Sequence, residues 1–303
     1  MQPRQLERSR VRSILAWGER VLGAGPHPER ARLDAEALLL HVFRHIHPDR
    51  NRAWLMAHQN DPASSDTRIH FEVLVKRRLS GEPIQYILGE TEFYGLPFRV
   101  NPAVLIPRPE TELLVEEALK RAAQFAHPRV VDVGTGSGCI SIALAAHLPN
   151  AAIATIDISS EALDLALQNA ELNEAVDRVR FLQGDLLAPV AGEQFELIVS
   201  NPPYVPTTDR SSLSVEVRDH EPAMGLFAGD DGLDIYRRLI PTAYEALVPG
   251  GFLLLEIGYG QSASITALLT AAGFESIEIL PDLQGIPRVI CAERGPTLNA
   301  LSS

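Results

Sequence analysis

The hydrophobic pattern changes near residue 85, which indicates two regions of different architecture. Before that point, apolar residues recur three and four positions apart, as they do along one face of an amphipathic helix. Three such segments are residues 6–17, 34–43 and 67–79. Turn-forming clusters of Gly, Pro, Asp and Ser separate them. Residues 1–85 are therefore predicted to form a small helical bundle.

From about residue 128, short apolar β-branched runs alternate with helical periods. Strands are predicted at residues 129–133, 152–157, 178–182, 195–200, 251–257, 274–280 and 287–292. Helices are predicted at residues 138–147, 160–173, 232–247 and 261–272. This alternation predicts an α/β domain, doubly wound around a mostly parallel sheet of seven strands. No helical segment separates the last two strands, so these two are expected to be antiparallel.

The segment between the two regions, residues 86–107, is aromatic and β-branched with glycines at turn positions. It predicts a short β-hairpin that links the domains. A helix should follow, because Pro109 suits a first helical position and acidic residues occupy the next turn. The predicted organisation is a bundle at 1–85, a hairpin linker at 86–107 and an α/β domain at 108–303.

Composition narrows the class of protein. The 303 residues contain no apolar run near the roughly 20 residues that a membrane span requires, and no secretory signal core at the N-terminus. The two cysteines, Cys139 and Cys291, cannot build a disulfide framework. We expect a cytoplasmic enzyme without membrane association, and a monomer by default.

Charge is unevenly distributed along the chain, whose formal net charge is −12. Residues 1–90 carry 14 Lys and Arg against 11 Asp and Glu, whereas the remainder carries 13 against 28. An acidic α/β domain is poorly suited to holding a nucleic-acid duplex through its phosphates. The mildly basic first region is consistent with solvated helix faces or with a docking surface.

A glycine loop follows the first predicted strand of the α/β domain. Residues 132–138 read D-V-G-T-G-S-G, and a helical segment comes next. Glycines at such a strand–helix turn allow the backbone to turn tightly and to approach a ligand. The G-x-G-x-G spacing differs from the dinucleotide fingerprint, and the loop lacks the lysine of a phosphate-binding P-loop. The spacing favours S-adenosylmethionine over NAD.

Acidic residues end the next two predicted strands. Asp157 follows the loop by about 20 residues, where a carboxylate can accept hydrogen bonds from ribose hydroxyls. Asp185, after the third strand, can accept from an adenine amino group. The predicted cofactor-binding residues are Gly134, Thr135, Gly136, Ser137, Gly138, Asp157, Asp185, Leu186 and Asn201.

The fourth predicted strand of this domain ends in Asn201-Pro202-Pro203-Tyr204. Neither a strand nor a helix continues through two prolines, because proline lacks the backbone N–H and fixes φ. The turn therefore holds Asn201 at the carboxyl end of the strand, where open α/β sheets bind ligands. The tetrapeptide alone is equally compatible with a structural turn that packs a tyrosine.

The motifs together resemble those of class I S-adenosylmethionine-dependent methyltransferases that modify planar amino groups. Further matching stretches lie at residues 81–89, 93–95, 107–112 and 221–233, and they resemble the peptide chain release factor glutamine-N5 methyltransferases of the PrmC or HemK type. The resemblance covers nearly the whole chain and is weakest before residue 60. Leu186 departs from relatives that often carry an aromatic residue there, which removes adenine stacking from that position.

The resemblance implies methylation of the Gln side-chain amide in the Gly-Gly-Gln loop of class I release factors. S-adenosyl-L-methionine would be the cofactor and S-adenosyl-L-homocysteine the product, with no metal and no direct nucleic-acid partner. The carbonyls of Asn201 and Pro202 would accept the two N–H bonds of the acceptor amide, and Tyr204 would stack on it. The residues implied in substrate binding are Asn201, Pro202, Pro203 and Tyr204, of which Asn201, Pro202 and Tyr204 are implied in catalysis.

Several alternatives remain open at this level. An adenine-N6 nucleic-acid methyltransferase shares the N-P-P-Y turn, and a non-catalytic binding module could retain the fold. Arg108 and Glu110 could help to close the cofactor pocket or could form a structural hinge. His41 and His45 share a helix face, which is a weak metal signal beside the simpler interpretation of a polar helix end.

Overall fold

The computed structural model describes residues 10–296, which divide into two compact units by their contacts. The helical unit comprises the chain up to Gly89 together with Ser214–His220. The sheet unit comprises Glu90–Leu213 and the chain from Glu221 onward. The first four residues of the helix predicted at 6–17 lie outside the described residues.

The predicted strands and helices occur in the predicted order, and further short helices at residues 52–57, 84–88, 215–220 and 223–226 lie between them. The helices are α1 Val11–Leu22, α2 Ala31–Arg44, α3 Arg52–Ala57, α4 Ser65–Leu79, α5 Ile84–Leu88, α6 Glu112–Ala122, α7 Cys139–His147, α8 Ser160–Leu172, α9 Val215–His220, α10 Ala223–Leu226, α11 Asp234–Ala246 and α12 Ser262–Ala272. The strands are β1 Glu90–Phe93, β2 Leu96–Arg99, β3 Arg129–Val133, β4 Ala152–Asp157, β5 Val179–Gln183, β6 Phe195–Ser200, β7 Leu247–Glu256, β8 Phe274–Pro281 and β9 Pro287–Arg294.

The helical unit is built around a close approach between α1 and α4. Phe71 of α4 is fully buried, and its ring meets Trp17 of α1 edge-on at 6.1 Å between centroids. Gly18 permits this contact, because a Cβ there would lie 2.5 Å from Cζ of Phe71. Ser64 begins α4 by accepting a hydrogen bond from the Thr67 amide at 3.0 Å. Gly18 thus permits α1 and α4 to approach closely, and Ser64 determines where α4 begins.

A buried arginine brings α9 into the helical unit. Arg78 is 3% exposed, and its Nε donates to the Asp34 carboxylate at 2.6 Å. Its guanidinium also donates to the Glu216 carboxylate of α9. Val215 lies against Gly81, where a Cβ would come within 2.6 Å of it. A segment from the second half of the sequence therefore belongs, by its contacts, to the helical unit.

The sheet unit contains a seven-stranded sheet in the order β5-β4-β3-β6-β7-β9-β8. Strands β3 to β7 pair in parallel, whereas β9 is antiparallel to both β7 and β8. The prediction of a mostly parallel sheet with an antiparallel end is confirmed. Strand β7 begins earlier than predicted, because Leu247 pairs with Phe195 before a register shift leads into the main ladder.

Helices cover both faces of this sheet. Side chains of α6 and α7 form one buried cluster with Val130, Val199 and Leu254. Side chains of α11 and α12 form a second cluster with Val131 and Ile198, which alternate with the first set along the strands. Successive strand residues point to opposite faces, so the two clusters lie on opposite sides of the sheet. This is the doubly wound arrangement that the sequence predicts.

The segment predicted as a linker hairpin has a different structure at its start. Tyr86 to Leu88 belong to helix α5 rather than to a strand, because Pro83 precedes the first turn and Gly89 ends the helix in a left-handed conformation at φ 76°. The hairpin itself is β1 and β2, which are antiparallel. Phe93 and Phe98 are buried in the same cluster as Leu114, so the hairpin belongs to the sheet unit.

Across residues 10–296, no helix is both long enough and apolar enough to span a bilayer.

We predict that Arg78→Ala destabilises the helical unit by about 3–5 kcal/mol, because among the described residues the buried Asp34 carboxylate would then be paired only with Arg30, at 3.4 Å. Arg77→Ala is the matched control, since Arg77 forms an exposed ion pair with Glu82 that is worth about 0–1 kcal/mol. Urea unfolding followed by tryptophan fluorescence measures this difference. Both tryptophans of the chain, Trp17 and Trp54, lie in the helical unit. Equal losses for the two variants would contradict the prediction.

Candidate active site

The carboxyl ends of β3, β4, β5 and β6 surround a cavity of about 450 Å³ in the sheet unit. Strand β4 lies on one side of β3 in the sheet, and β6 lies on the other side. The cavity is therefore at the point where the strand order reverses. Its volume falls within the range usual for small-molecule sites. The predicted residues that line it are Gly134, Thr135, Gly136, Ser137, Asp157, Asp185, Leu186, Asn201, Pro202 and Pro203. Of the predicted site residues, which all fall within the described range, Gly138 and Tyr204 do not line it.

The glycine loop turns over the end of β4. The amides of Gly134 and Thr135 donate to the Ile156 carbonyl at 2.8 and 3.1 Å. Gly134 and Gly136 have φ of 77° and 54°, and a Cβ at either would meet no atom of residues 10–296 within 4 Å. Glycine is needed there for the backbone conformation, and the open side leaves room for a ligand to approach the main chain.

Gly138 serves a different purpose in the same loop. It precedes α7 with φ of 80°, and a Cβ there would lie 3.0 Å from Ile142 and 3.1 Å from Ala166. The residue therefore permits α7 and α8 to pack closely at the base of the loop.

Asp157 is held rigidly by two main-chain amides. Its Oδ2 accepts from the Gly136 amide at 2.9 Å, and its Oδ1 accepts from the Ser159 amide at 2.9 Å. These bonds tie the end of β4 to the glycine loop and fix the plane of the carboxylate. Each oxygen retains a further lone pair that can accept from a ligand hydroxyl.

Asp185 and Leu186 occupy the edge of the cavity. The Asp185 carboxylate forms an ion pair with Arg238 of α11, and both side chains are about half exposed. Leu186 has φ of 50°, an unusual conformation for a non-glycine residue. The turn after β5 thus presents an apolar side chain and a paired carboxylate to the cavity.

Asp132, at the base of the glycine loop, is fully buried. Its Oδ2 accepts hydrogen bonds from the hydroxyls of Thr135 at 2.8 Å and Thr155 at 3.3 Å. Burial nevertheless raises the pKa of Asp132 to about 6. The carboxylate anchors the loop from beneath, and its ionisation opposes folding.

The N-P-P-Y turn lies beyond the end of the ladder between β6 and β7. The last pair of that ladder joins Ser200 to Leu255, and Ser200 Oγ also donates to the Val133 carbonyl at 2.6 Å. Asn201 comes next, and its Nδ2 donates to Oγ1 of Thr111 at 3.2 Å. With the amino group directed at Thr111, the carbonyl oxygen of this amide points the other way.

The residues after the turn are fixed by a second strand-like segment. Val205 donates to the Leu226 carbonyl at 2.8 Å and accepts from the Ala228 amide at 3.0 Å. The Tyr204 carbonyl accepts from Nε2 of Gln261 at 2.9 Å. The stretch at 221–233, which has no evident chemistry in the sequence, therefore supports the turn.

Two residues that sequence reasoning missed lie behind the turn. Glu256, the last residue of β7, is 2% exposed. Its Oε2 accepts from the Thr111 hydroxyl at 2.6 Å, and its Oε1 accepts from the Tyr204 phenol at 3.4 Å. Burial raises the pKa of Glu256 to about 7. The pKa of Tyr204 is also raised, first by burial and second by the negative charge of Glu256. An acid at the end of the apolar run 252–255 was the available sequence signal, the same one that singles out Asp157.

Arg108 lines the cavity and pairs with a buried acid. Its guanidinium donates to the Glu221 carboxylate, which also accepts from the Ile106 amide at 3.4 Å. The pair joins two stretches that border the cavity. In residues 10–296, no cluster of three or more His, Cys, Asp or Glu is arranged to hold a metal ion.

The family described as "Methyltransferase small domain" matches residues 109–216, which include the glycine loop, Asp157 and the N-P-P-Y turn, so the cavity lies in a methyltransferase domain. The family described as "PrmC N-terminal domain" matches residues 13–89. The chain is 43% identical to a Release factor glutamine methyltransferase of Geobacter sulfurreducens over 92% of its length and 95% of that protein. It is 41% identical to the protein of the same name from Moorella thermoacetica, over 94% and 98%. The chain belongs to the release factor glutamine methyltransferase family.

Solved structures share the fold at lower identity. The hMettl16 catalytic domain in complex with a 3'UTR hairpin aligns with a TM-score of 0.55 at 15% identity, over 77% of this chain and 83% of that one. A T. thermophilus 16S rRNA methyltransferase, RsmC, in complex with AdoMet and guanosine aligns with a TM-score of 0.51 at 20% identity, over 68% and 49%. These similarities concern the fold alone.

We predict that Asp132→Asn gains stability relative to the wild type as pH rises. The pKa of about 6 means that the folded wild type holds this proton more tightly than the unfolded chain, so the contribution of Asp132 to wild-type stability falls between pH 4 and pH 7. The asparagine cannot ionise, so the difference in free energy of unfolding should move in its favour by roughly 3 kcal/mol over that range. Urea titrations of both proteins at several pH values measure it, and a difference independent of pH would refute the assignment.

Proposed function

We propose that this protein transfers a methyl group from S-adenosylmethionine to the side-chain amide nitrogen of a glutamine, in the Gly-Gly-Gln loop of class I release factors. The observation that carries the proposal is the orientation of Asn201. Its amino group donates to Thr111, so its carbonyl oxygen can accept a hydrogen bond from the amide of the glutamine that is methylated. The names of the curated relatives support the same substrate.

The cavity supplies suitable contacts for the cofactor. The open main chain at Gly134 and Gly136 would accommodate the amino-acid portion, and the fixed carboxylate of Asp157 would accept from the ribose hydroxyls. Asp185 would accept from the adenine amino group while paired to Arg238, and Leu186 would offer an apolar contact. These roles follow from the same residues that the sequence singles out.

The turn explains how a poor nucleophile could react. The lone pair of an amide nitrogen is delocalised into its carbonyl, so attack on the sulfonium methyl requires loss of that conjugation. The carbonyls of Asn201 and Pro202 would accept the two N–H bonds, orient the lone pair toward the methyl group and stabilise the charge that develops on nitrogen. Tyr204 would pack on the planar group and exclude water.

The step balances without a general base before transfer. The nitrogen lone pair forms the new N–C bond while the S–C bond breaks and its electron pair stays on sulfur. S-adenosylhomocysteine leaves neutral at sulfur, and the nitrogen then loses one proton to give the N5-methyl amide. The hydrogen bonds at the turn matter most in the transition state, when the N–H groups become acidic.

The helical unit is proposed to help hold the protein substrate. Residues 1–90 are mildly basic, whereas the rest of the chain is acidic. A glutamine in a large folded protein needs contacts outside the reaction site if it is to be bound tightly. The acidic sheet unit makes an adenine in duplex DNA a poor alternative acceptor.

Asn201→Ala is expected to lower kcat for methyl transfer by about 10²–10³, because it removes an acceptor that acts mainly in the transition state. Affinity for S-adenosylmethionine, measured by calorimetry, should change little. Asn60→Ala, an exposed change in the helical unit, is the matched control. Wild-type kcat in the Asn201 variant would rule out this account of the turn.

Asp157→Ala is expected to weaken S-adenosylmethionine binding by at least about 10-fold, since charge-assisted hydrogen bonds contribute roughly 1.5–3 kcal/mol each. Asp177→Ala removes an exposed carboxylate away from the cavity and serves as the control. Calorimetric titration of the cofactor measures both, and unchanged affinity in the Asp157 variant would exclude the ribose contact.

The decisive experiment supplies labelled S-adenosylmethionine with purified release factor or duplex DNA in parallel, followed by peptide mass mapping. One added methyl on the Gln of the Gly-Gly-Gln peptide would establish the proposed reaction. Label in DNA alone would replace it with adenine methylation. Cofactor binding with label in neither substrate would favour a non-catalytic module.

A further inference from the structure

A chain of hydrogen bonds connects the N-P-P-Y turn to a buried acid on the neighbouring strand. Asn201 Nδ2 donates to Thr111 Oγ1 at 3.2 Å, and Thr111 Oγ1 donates to Glu256 Oε2 at 2.6 Å. The other carboxylate oxygen accepts from the Tyr204 phenol at 3.4 Å. Glu256 therefore contacts both ends of the turn, Asn201 through Thr111 and Tyr204 directly.

The number of protons available in this series of hydrogen bonds determines the orientation of the Asn201 amide. A threonine hydroxyl has one proton, and an ionised carboxylate can only accept. While Thr111 donates to Glu256, its oxygen is available to Asn201 only as an acceptor. The Asn201 amino group must then face Thr111, because the reversed amide would place two acceptor oxygens against each other. The carbonyl is thereby directed to the other side.

We propose that Glu256 is a positioning residue for methyl transfer, which acts through Thr111 to hold the Asn201 carbonyl toward the acceptor amide and which also holds the Tyr204 phenol. The inference rests on the proposed function of the turn. Glu256 need not touch the substrate in this role. It decides which of the two amide orientations is stable, and the oriented carbonyl makes the contact.

Protonation of Glu256 would reverse the preferred orientation of the Asn201 amide. A neutral acid can donate to the Thr111 oxygen, which releases the Thr111 proton toward Asn201 and favours the amide with its carbonyl inward. Because burial raises the pKa of Glu256 to about 7, the loss should occur as pH falls through neutrality. The activity that depends on the ionised form is present above that pH and absent well below it.

The charged and titratable groups around Glu256 come from several elements. Arg288 of β9 favours the carboxylate, and Glu110 opposes it. The Tyr204 phenol donates to the side chain, and the Tyr236 phenol of α11 donates to the Glu256 carbonyl at 2.7 Å. The Cys139 thiol at the start of α7 also faces this charge. Burial raises the pKa of both phenols and of the thiol, so the acid is the group expected to change charge near neutrality.

The first test compares Thr111→Val with Thr111→Ser. Valine fills the same space but offers Asn201 no acceptor, whereas serine retains the hydroxyl. At pH 8, single-turnover transfer to a release factor should fall about 10–100-fold or more in the valine variant, because both the Asn201 amino group and Glu256 Oε2 lose this partner, and should stay within about 3-fold in the serine variant. S-adenosylmethionine affinity should match the wild type in both, which shows that the fold is intact. Equal rates in the two variants would overturn the proposal.

The second test uses Glu256→Gln, which never ionises and whose amino group can donate to Thr111 as the protonated acid does. Its rate at pH 8 should therefore lie about 10–100-fold below the wild type, close to the rate of the wild type at low pH. The wild-type rate should fall on the acid side of about pH 7, and this fall should be missing from the glutamine variant. The same acid limb in both proteins would refute the role of Glu256.

These outcomes separate the inference from the function on which it rests. If wild-type protein methylates no glutamine in the release factor, the proposed function fails. If wild type methylates it and the Thr111 and Glu256 variants behave like wild type across the pH range, only the positioning role fails.

Discussion

The parallel pairing of β6 with both β3 and β7 is the constraint on which the site depends. The register that joins Ser200 to Leu255 brings Asn201 and Glu256 to adjacent strand ends, with the glycine loop next to them after β3. Main-chain ladders fix this register over several residues, so the edge is set by the whole sheet rather than by local loops. Two prolines then prevent the ladder from continuing and leave the turn open to a ligand.

Buried acids give this edge its rigidity at some expense of stability. Asp132 beneath the glycine loop and Glu256 behind the turn are both almost wholly buried. Asp132 accepts from the hydroxyls of Thr135 and Thr155, and Glu256 accepts from those of Thr111 and Tyr204. Burial favours the neutral form of each acid, so their ionisation opposes folding at neutral pH. In return, the hydroxyls and amides around them have one preferred orientation. A lower free energy of unfolding is common where groups must be held in a single arrangement for catalysis.

Residues remote in sequence support the N-P-P-Y turn on its far side. The chain after the turn pairs through Val205 with the segment around Leu226 and Ala228. A Cβ at Gly232 would lie 2.2 Å from the Tyr204 carbonyl, so glycine is required for this approach. Gln261 donates to the same carbonyl at 2.9 Å. The turn is thus fixed from both sides, which suits a role in orienting a planar acceptor.

The sequence by itself determined the elements of the sheet unit, the glycine loop and the strand-end residues Asp157 and Asn201, because periodicity, glycine and proline act locally. It left undetermined the bond between Thr111 and Glu256, 145 positions apart, and that between Arg78 and Glu216, 138 positions apart. It also missed the helical start of the predicted hairpin, where a left-handed Gly89 ends α5. Such partners are set by strand order and helix packing, which join distant segments that carry no shared local pattern, and only the tertiary structure decided them.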